Sequence, residues 1–380
     1  MAGFGKNQFS EDGSERTPNS SGASSGLPWW HPKGWGKKIL GGIAATIVIL
    51  IVVIVVPVVV TRNKDNAYPN YSTLTYSLSE SYSGTSFFDE FDYFTGYDPT
   101  AGFVHYVPSE QAEALNLTYA SSSSAILRVD TSVNSSSVPN ASTGRFSVRI
   151  SSKKQYANNQ LFIFDVKHTP TGCGTWPALW LVDQDHWPTN GEIDLMEAVN
   201  VVGSTENQIA LHTTEGCTMS GQRKMTGTSL QASCLNSTHG NAGCGVHAGP
   251  STFGTDYNTG GGGVMAMELR SAGIRMWQFA RSTIPSDILA NAPDPSIWGD
   301  ATADFPSTHC DIDTHFRNQS IVANINLCGS WAGAAEVFAE NCSGTCSDFV
   351  ADHPTAFADA YWEFGAFQVY SARNTTAARR

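Results

Sequence analysis

The sequence predicts an all-β fold, a sandwich or barrel of many short strands, preceded by one N-terminal transmembrane helix. Three observations carry this. From Ser86 onward no long window shows helical periodicity; short alternating or apolar runs recur, separated by Gly, Asn, Ser and Pro clusters. Only 15% of the 380 residues are charged, while 35 are Gly, 10 Trp, 12 Tyr and 19 Phe, which argues against a coiled coil, a helical bundle and wholesale disorder. The stretch Ile39 to Val60 (ILGGIAATIVILIVVIVVPVVV) holds no charged residue. With 22 Lys and Arg against 34 Asp and Glu, the net charge is −12, so a nucleic-acid partner is not expected.

Residues 1–38 are rich in Ser, Gly and Asn and read as a disordered cytoplasmic tail. Residues 39–60 follow as a helix of roughly 33 Å at ~1.5 Å per residue, enough to cross a bilayer core. A cleaved signal peptide fits less well, because the apolar run is long, a long polar segment precedes it, and Thr61-Arg62-Asn63-Lys64 follows where small residues would mark cleavage. Lys33, Lys37 and Lys38 before the span outweigh Arg62 and Lys64 with Asp65 after it, which places the N-terminus in the cytoplasm. All eight Cys follow the span. So do the Asn-x-Ser/Thr sequons at Asn70, Asn116, Asn134, Asn140, Asn236, Asn318, Asn341 and Asn374, whereas Asn19 alone precedes it. An even Cys count on one side, without a CxxC pair, points to an oxidising compartment and disulfides of undetermined pairing rather than to zinc. Residues 61–85 read as a Ser/Thr-rich stalk, 86–371 as the folded domain and 372–380 as a polar tail. Strands are expected in AILRVD from Ala125, RFSVRISS from Arg145, NQLFIFDVKH from Asn159, PALWLV from Pro177, GVMAMELR from Gly263, GIRMWQFAR from Gly273, QSIVANINL from Gln319 and AFQVYSAR near the end. No fixed-period repeat suggests a propeller or solenoid.

The most informative stretch is WPTNGEIDLMEAVN, Trp187 to Asn200. Glu192 and Asp194 are two apart and share a strand face. Glu197 is five from Glu192 and would point the other way, unless a β-bulge at Leu195-Met196 adds one residue. Ile193 and one of Leu195 or Met196 would then enter the core. Three crowded carboxylates cannot all ionise easily, which suits chemistry that needs one carboxylate and one carboxylic acid together. A solvated strand face and a Ca²⁺ site are the competing explanations. Trp176, Trp180 and Trp187, close upstream, favour the catalytic pair over both, because indoles stack well on the apolar faces of sugar rings.

At these residues the chain resembles glycoside hydrolase family 16, most closely its fungal endo-1,3(4)-β-glucanase, or laminarinase, branch. The motif is GEID-x-x-E with GCGTWPALWLV before it and NQIALHT after it. SFFDEFDYFTGYDPTAGFVHYV, GIRMWQFARSTIPSDI, PDPSIWG, CDIDTHFRNQSIVANINLCGSWAG and AYWEFGAFQVY extend it from about Tyr76 to Tyr370. The resemblance implies a β-jelly-roll (concanavalin-like) sandwich with a concave substrate cleft, a β-glucan substrate, a retaining double displacement and no cofactor. It implies Glu192 as nucleophile, Glu197 as general acid/base and Asp194 as assisting carboxylate. His212, Asn207 and Trp331 are implied cleft residues, beside Trp180 and Trp187 as sugar-stacking candidates. Trp277 is expected to pack in a strand with Arg281 on its outer side. Met196 and Ala198 stand where the family more often has Ile and Gly, and the DExDxE signature of the chitin–glucan crosslinking branch is missing, since Asn190-Gly191 precede Glu192. A transglycosylase using the same intermediate stays open, and so, less favoured, does a non-catalytic glucan binder, whose mark would be loss of one Glu. The fungal resemblance implies a plasma membrane facing the cell wall.

Overall fold

The structure, a computed structural model, describes residues 36–137 and 143–373. Most of the expected N-terminal tail, the end of the polar tail, and the sequons at Asn19, Asn140 and Asn374 lie outside the described residues. The chain divides into two units, one ending at Lys64 and the other starting at Asp65. The first contains a helix, α1 (Lys37–Asp65), that includes the whole predicted span. Its stretch Lys37–Val56 is long and apolar enough to cross a membrane, and none of that stretch is buried by protein. Such a stretch is compatible with a membrane anchor.

The second unit is a two-sheet sandwich. Its strands in chain order are β1 (Tyr76–Tyr82), β2 (Phe91–Tyr93), β3 (Thr118–Ala120), β4 (Ala125–Arg128), β5 (Arg149–Tyr156), β6 (Gln160–His168), β7 (Thr175–Val182) and β8 (Glu192–Glu197). Then come β9 (Gln208–His212), β10 (Thr228–Ser229), β11 (Val246–His247), β12 (Gly263–Arg270), β13 (Gly273–Ala280), β14 (Ala303–Pro306), β15 (Gln319–Leu327) and β16 (Tyr361–Ala372). One sheet runs β14-β13-β12-β6-β16-β4-β3, with β1 paired to β16; we call it the back sheet. The other runs β10-β11-β9-β8-β7-β15-β5-β2 and carries the site. The architecture is the expected β-jelly-roll sandwich.

The core explains the strand sequences. Leu179, Leu181, Ile193, Ile209, Leu211, Ile321, Ala323 and Ile325 of the site sheet point inward and are fully enclosed. They meet Phe162, Phe164 and Val166 of β6 and Phe364 and Phe367 of β16, with the Phe164 and Phe367 rings edge to face at 4.8 Å. The run QLFIFDV is apolar on both faces because β6 also buries Leu161 and Ile163 in a second cluster on the outside of the back sheet, with Val264, Trp277 and Ile288. Trp277 is packed there as expected, and Arg281 pairs with Asp165 at 2.5 Å.

Two outcomes differ from expectation or go beyond it. The segment 61–85 is not a free stalk: it holds the end of α1, the paired strand β1 and the start of a 3-10 helix, Gly84–Glu90. The eight cysteines form Cys173–Cys342, Cys217–Cys310, Cys234–Cys244 and Cys328–Cys346.

Candidate active site

Strand β8 lies between β7 and β9 in the site sheet. Its register to β9 pairs Glu192 with His212 and Asp194 with Ala210, then shifts before pairing Glu197 with Gln208. The register to β7 pairs Glu192 with Val182, Asp194 with Trp180 and Met196 with Leu179, so Leu195 is the added residue. This is the bulge that the spacing requires. Ile193, Leu195 and Met196 are all fully enclosed in the core, whereas the sequence reading placed only one of the last two there. Glu192 and Glu197 are half-buried, and Asp194 is 3% exposed. Gly191 precedes the strand at φ +74, where a side chain would also run into the His315 carbonyl.

A bulge leaves backbone groups outside the ladder. Here Asn207 takes them: its Oδ1 accepts from the Glu197 N–H at 3.0 Å and its Nδ2 donates to the Leu195 carbonyl at 2.8 Å. Asn207 is fully enclosed, so the structure removes it from the cleft surface where the sequence reading placed it. Its amide serves the strand, not a ligand.

The charges are unevenly solvated. Burial first, and the neighbouring Asp194 charge second, raise Glu192 and Glu197 above the ordinary carboxylate range. The Trp187 indole hydrogen-bonds Glu192 and opposes its shift. The Trp176 indole donates to Glu197 Oε1 at 2.7 Å and does the same there. His212 Nε2 lies 3.1 Å from Asp194 Oδ2 and its Nδ1 3.1 Å from Asn241 Oδ1. Burial works against a charge on His212, but the Asp194 contact and the three surrounding carboxylates outweigh it and push His212 up to about 10. With an oxygen before each ring nitrogen, the imidazolium is the fitting form.

Glu192, Asp194 and His212 each offer one atom within 4.8 Å of the others, the spacing of a metal-binding set. An imidazolium facing Asp194 already supplies the positive charge that such a set would seek, so the arrangement is explained as an ion pair.

Tryptophans line the same face. Trp180 stands opposite Asp194, donates from Nε1 to Asn324 Oδ1 at 2.8 Å, and has the Arg149 guanidinium 4.9 Å from its ring centre. Trp187 is 42% exposed and precedes a cis peptide bond to Pro188. Trp331 packs edge to face on Trp176 with centroids 5.7 Å apart. Trp331 follows Cys328, which is bonded to Cys346. The sequence reading named Trp176 without giving it a role, and it missed Asn324 and Arg149. Trp176 and Trp180 are four apart on a strand and so share a face, which was a readable signal. The other two depend on β15 and β5 being the next strands in the sheet.

Comparison with known proteins agrees with this geometry. The family of XgeA-like, catalytic GH16 domains matches residues 91–370. A Schizosaccharomyces pombe protein named a probable glycosidase is 46% identical over 308 residues, covering 80% of this chain and 71% of its own length. The endo-1,3(4)-beta-glucanase of Arthroderma benhamiae is 37% identical, covering 80% of this chain and 66% of its own length. Against an Aspergillus fumigatus relative that bears the same name as probable, this chain spans only 45% of the relative. Among solved structures, laminarinase 16A of Phanerochaete chrysosporium, with 6-O-glucosyl-laminaritriose in its donor and acceptor sites, is 41% identical with a TM-score of 0.74, covering 78% of this chain and all of its own. An elongating GH family 16 beta-1,3-glucosyltransferase is 39% identical with a TM-score of 0.72 and covers 78% of this chain and all of its own. On this evidence of sequence, fold and motif together, the chain belongs to glycoside hydrolase family 16.

Proposed function

We propose that the protein is a retaining endo-β-glucanase that hydrolyses internal β-1,3 bonds, or the bonds of mixed β-1,3/1,4 glucan, and is anchored to a membrane by α1. The observation that carries the reading is the bulge at Leu195, which turns Glu197 to the face of Glu192 and Asp194. In the first step a Glu192 oxygen bonds to the anomeric carbon while the glycosidic C–O bond breaks, and Glu197 gives its proton to the departing sugar oxygen. In the second, water attacks the same carbon, Glu197 takes its proton, and Glu192 leaves as carboxylate. Beyond burial, the Asp194 charge, although paired with His212, helps hold Glu197 toward its protonated form. Trp180, Trp187 and Trp331 are the sugar-stacking surfaces in this reading, and no metal or cofactor takes part.

The second reading, transfer of the glycosyl group to another sugar, is favoured by the likeness to the glucosyltransferase. Digestion of a laminari-oligosaccharide followed by NMR tests both. A β-configured first product shorter than the input is expected. An α-configured first product overturns retention, and products longer than the input overturn simple hydrolysis.

We further place the N-terminus in the cytoplasm and the catalytic unit outside, at a plasma membrane facing the cell wall, with residues 1–38 as tail and 39–60 as anchor. Support comes from eight cysteines in four disulfides, all beyond α1. Asn70, Asn116, Asn318 and Asn341 are exposed sequons, so glycosidase treatment should increase gel mobility; a chain without glycans and open to protease from the cytoplasmic side would reverse this topology.

A further inference from the structure

We propose that Asn207 is a positioning residue for the reaction: it holds the bulge open and thereby aims Glu197 at the leaving oxygen. The proposal rests on the acid/base role given to Glu197 above.

The geometry is specific. An Asn side chain has one acceptor oxygen and two N–H donors. The oxygen takes the Glu197 N–H at 3.0 Å; Nδ2 donates to the Leu195 carbonyl at 2.8 Å and to Gln278 Oε1 at 3.1 Å. These partners bracket the bulge, one on each side of Met196. The amide stands where the backbone of β9 would stand in a regular ladder, since the β8–β9 register breaks between Asp194 and Glu197. Asn207 is itself gripped. Its backbone N–H donates to Thr252 Oγ1 at 2.8 Å, Gln278 Nε2 donates to the Thr252 carbonyl at 2.6 Å, and the Gln278 N–H donates to Thr302 Oγ1 at 3.0 Å. Gln278 belongs to β13 of the back sheet, so the closed ring of Asn207, Gln278 and Thr252 ties the bulge to the opposite layer.

Other side chains do not fit this place. Aspartate lacks the donors for Leu195 and Gln278 and adds a buried charge near Glu197. Leucine strands one N–H and one carbonyl, and serine reaches at most one of them. Without the clamp the strand relaxes toward regular pairing, which rotates Glu197 away from the cleft. Misplacement of about 1 Å is enough for a rate loss of roughly 10²-fold.

The test uses the full-length chain in detergent and two substrates: a laminari-oligosaccharide, whose leaving sugar needs a proton, and an aryl β-laminaribioside with an acidic phenol, whose departure does not. Asn207→Ser should lower kcat/KM on the oligosaccharide by about 10²-fold and lose much less kcat/KM on the aryl substrate, because kcat/KM reports the first, proton-donating step, whereas the second step, with Glu197 as base, is common to both. Gln278→Met, which removes one of Asn207's three side-chain bonds together with the Gln278–Thr252 bond, should show the same pattern more weakly and serves if Asn207→Ser does not fold. Equal losses of kcat/KM on both substrates would overturn the positioning role. Glu197→Gln is run alongside. If it fails to discriminate between the substrates, the acid/base reading itself is wrong, whatever Asn207 does.

Discussion

Glu197→Gln separates two consequences of one carboxyl. Its removal should lower turnover on β-glucan by roughly 10²–10⁴-fold, the usual worth of a positioned general acid. It should also raise the melting temperature above neutrality. The folded-state pKa of Glu197 lies above its unfolded value because of burial and then Asp194, so the native state is destabilised by ionisation. That destabilisation is complete at pH above the folded pKa and fades as pH falls to the unfolded one. The gain in Tm should therefore be largest in mildly alkaline buffer and vanish in acid; a variant that melts lower at alkaline pH contradicts the assignment. Asp194→Asn gives a different signature. It removes the Asp194 contribution that lifts Glu197, so the alkaline limb of the kcat/KM profile should move to lower pH. His212 should lose its proton more easily as well, since burial then works against its charge with less to oppose it. The carboxylates were legible from their spacing alone, because a strand alternates with a period of two. Asn207 was legible only as a polar residue near the motif. Its task depends on strand β9 lying beside the bulge, and single-sequence reasoning does not supply that neighbour.

At the scale of the element, the bulge in β8 does more than re-aim one side chain. Leu195 and Met196 are consecutive yet both enclosed, which a regular strand forbids. The local bend lets two neighbours lean into the core while Glu192, Asp194 and Glu197 stay on the opposite face. The sequence reading inferred the extra residue from the distance between the glutamates, and it placed only one of the pair inside because it kept strict alternation around the bulge. Deleting Leu195 would leave Glu192, Asp194 and Glu197 two and four positions apart on a regular strand, so all three should keep one face, while the Asn207 amide loses the bulge it spans. The expected result is a lower Tm with measurable glucanase activity retained; a folded deletion variant without any activity would show that the bulge sets more than the face of Glu197. Strand β1 teaches the converse lesson. Its sequence YSLSESY is polar apart from its two end tyrosines and an exposed Leu78, and only Tyr76 and Tyr82 are buried. An edge strand paired on one side to β16 needs no apolar stripe, so it reads as linker.

For the molecule as a whole, the same misreading hid how the catalytic unit begins. Residues 66–75 have the composition of a stalk, but they lie along the outside of the back sheet as a strap. Asp304 is fully enclosed and accepts from Tyr68 at 3.0 Å, from Tyr71 at 3.3 Å and from the Lys224 N–H at 2.8 Å. Tyr71 also lies under the Arg275 guanidinium, 4.2 Å from its ring centre, and Arg270 donates to the Ser72 carbonyl at 3.0 Å. Beyond it, Tyr76 donates to Glu268 Oε1 at 2.8 Å, and Leu74 packs against the outer apolar cluster. No periodicity announces such a strap, because it is held by single tyrosines reaching buried acids far away in sequence. Its removal takes two donors from Asp304 and uncovers the face they packed on, each hydrogen bond to a charged group being worth about 1.5–3 kcal/mol. A soluble form starting at Asn66 should therefore melt well above one starting at Tyr76, although both retain every strand of the sandwich and every carboxylate of the site. Tyr68→Phe with Tyr71→Phe in the longer form should reproduce most of the difference. If the two forms melt together, the strap is a passive linker that happens to lie on the sheet, and the stable unit begins at β1; if the double variant alone fails to lower Tm, packing of Leu74 and Tyr71 rather than the Asp304 contacts holds the segment down.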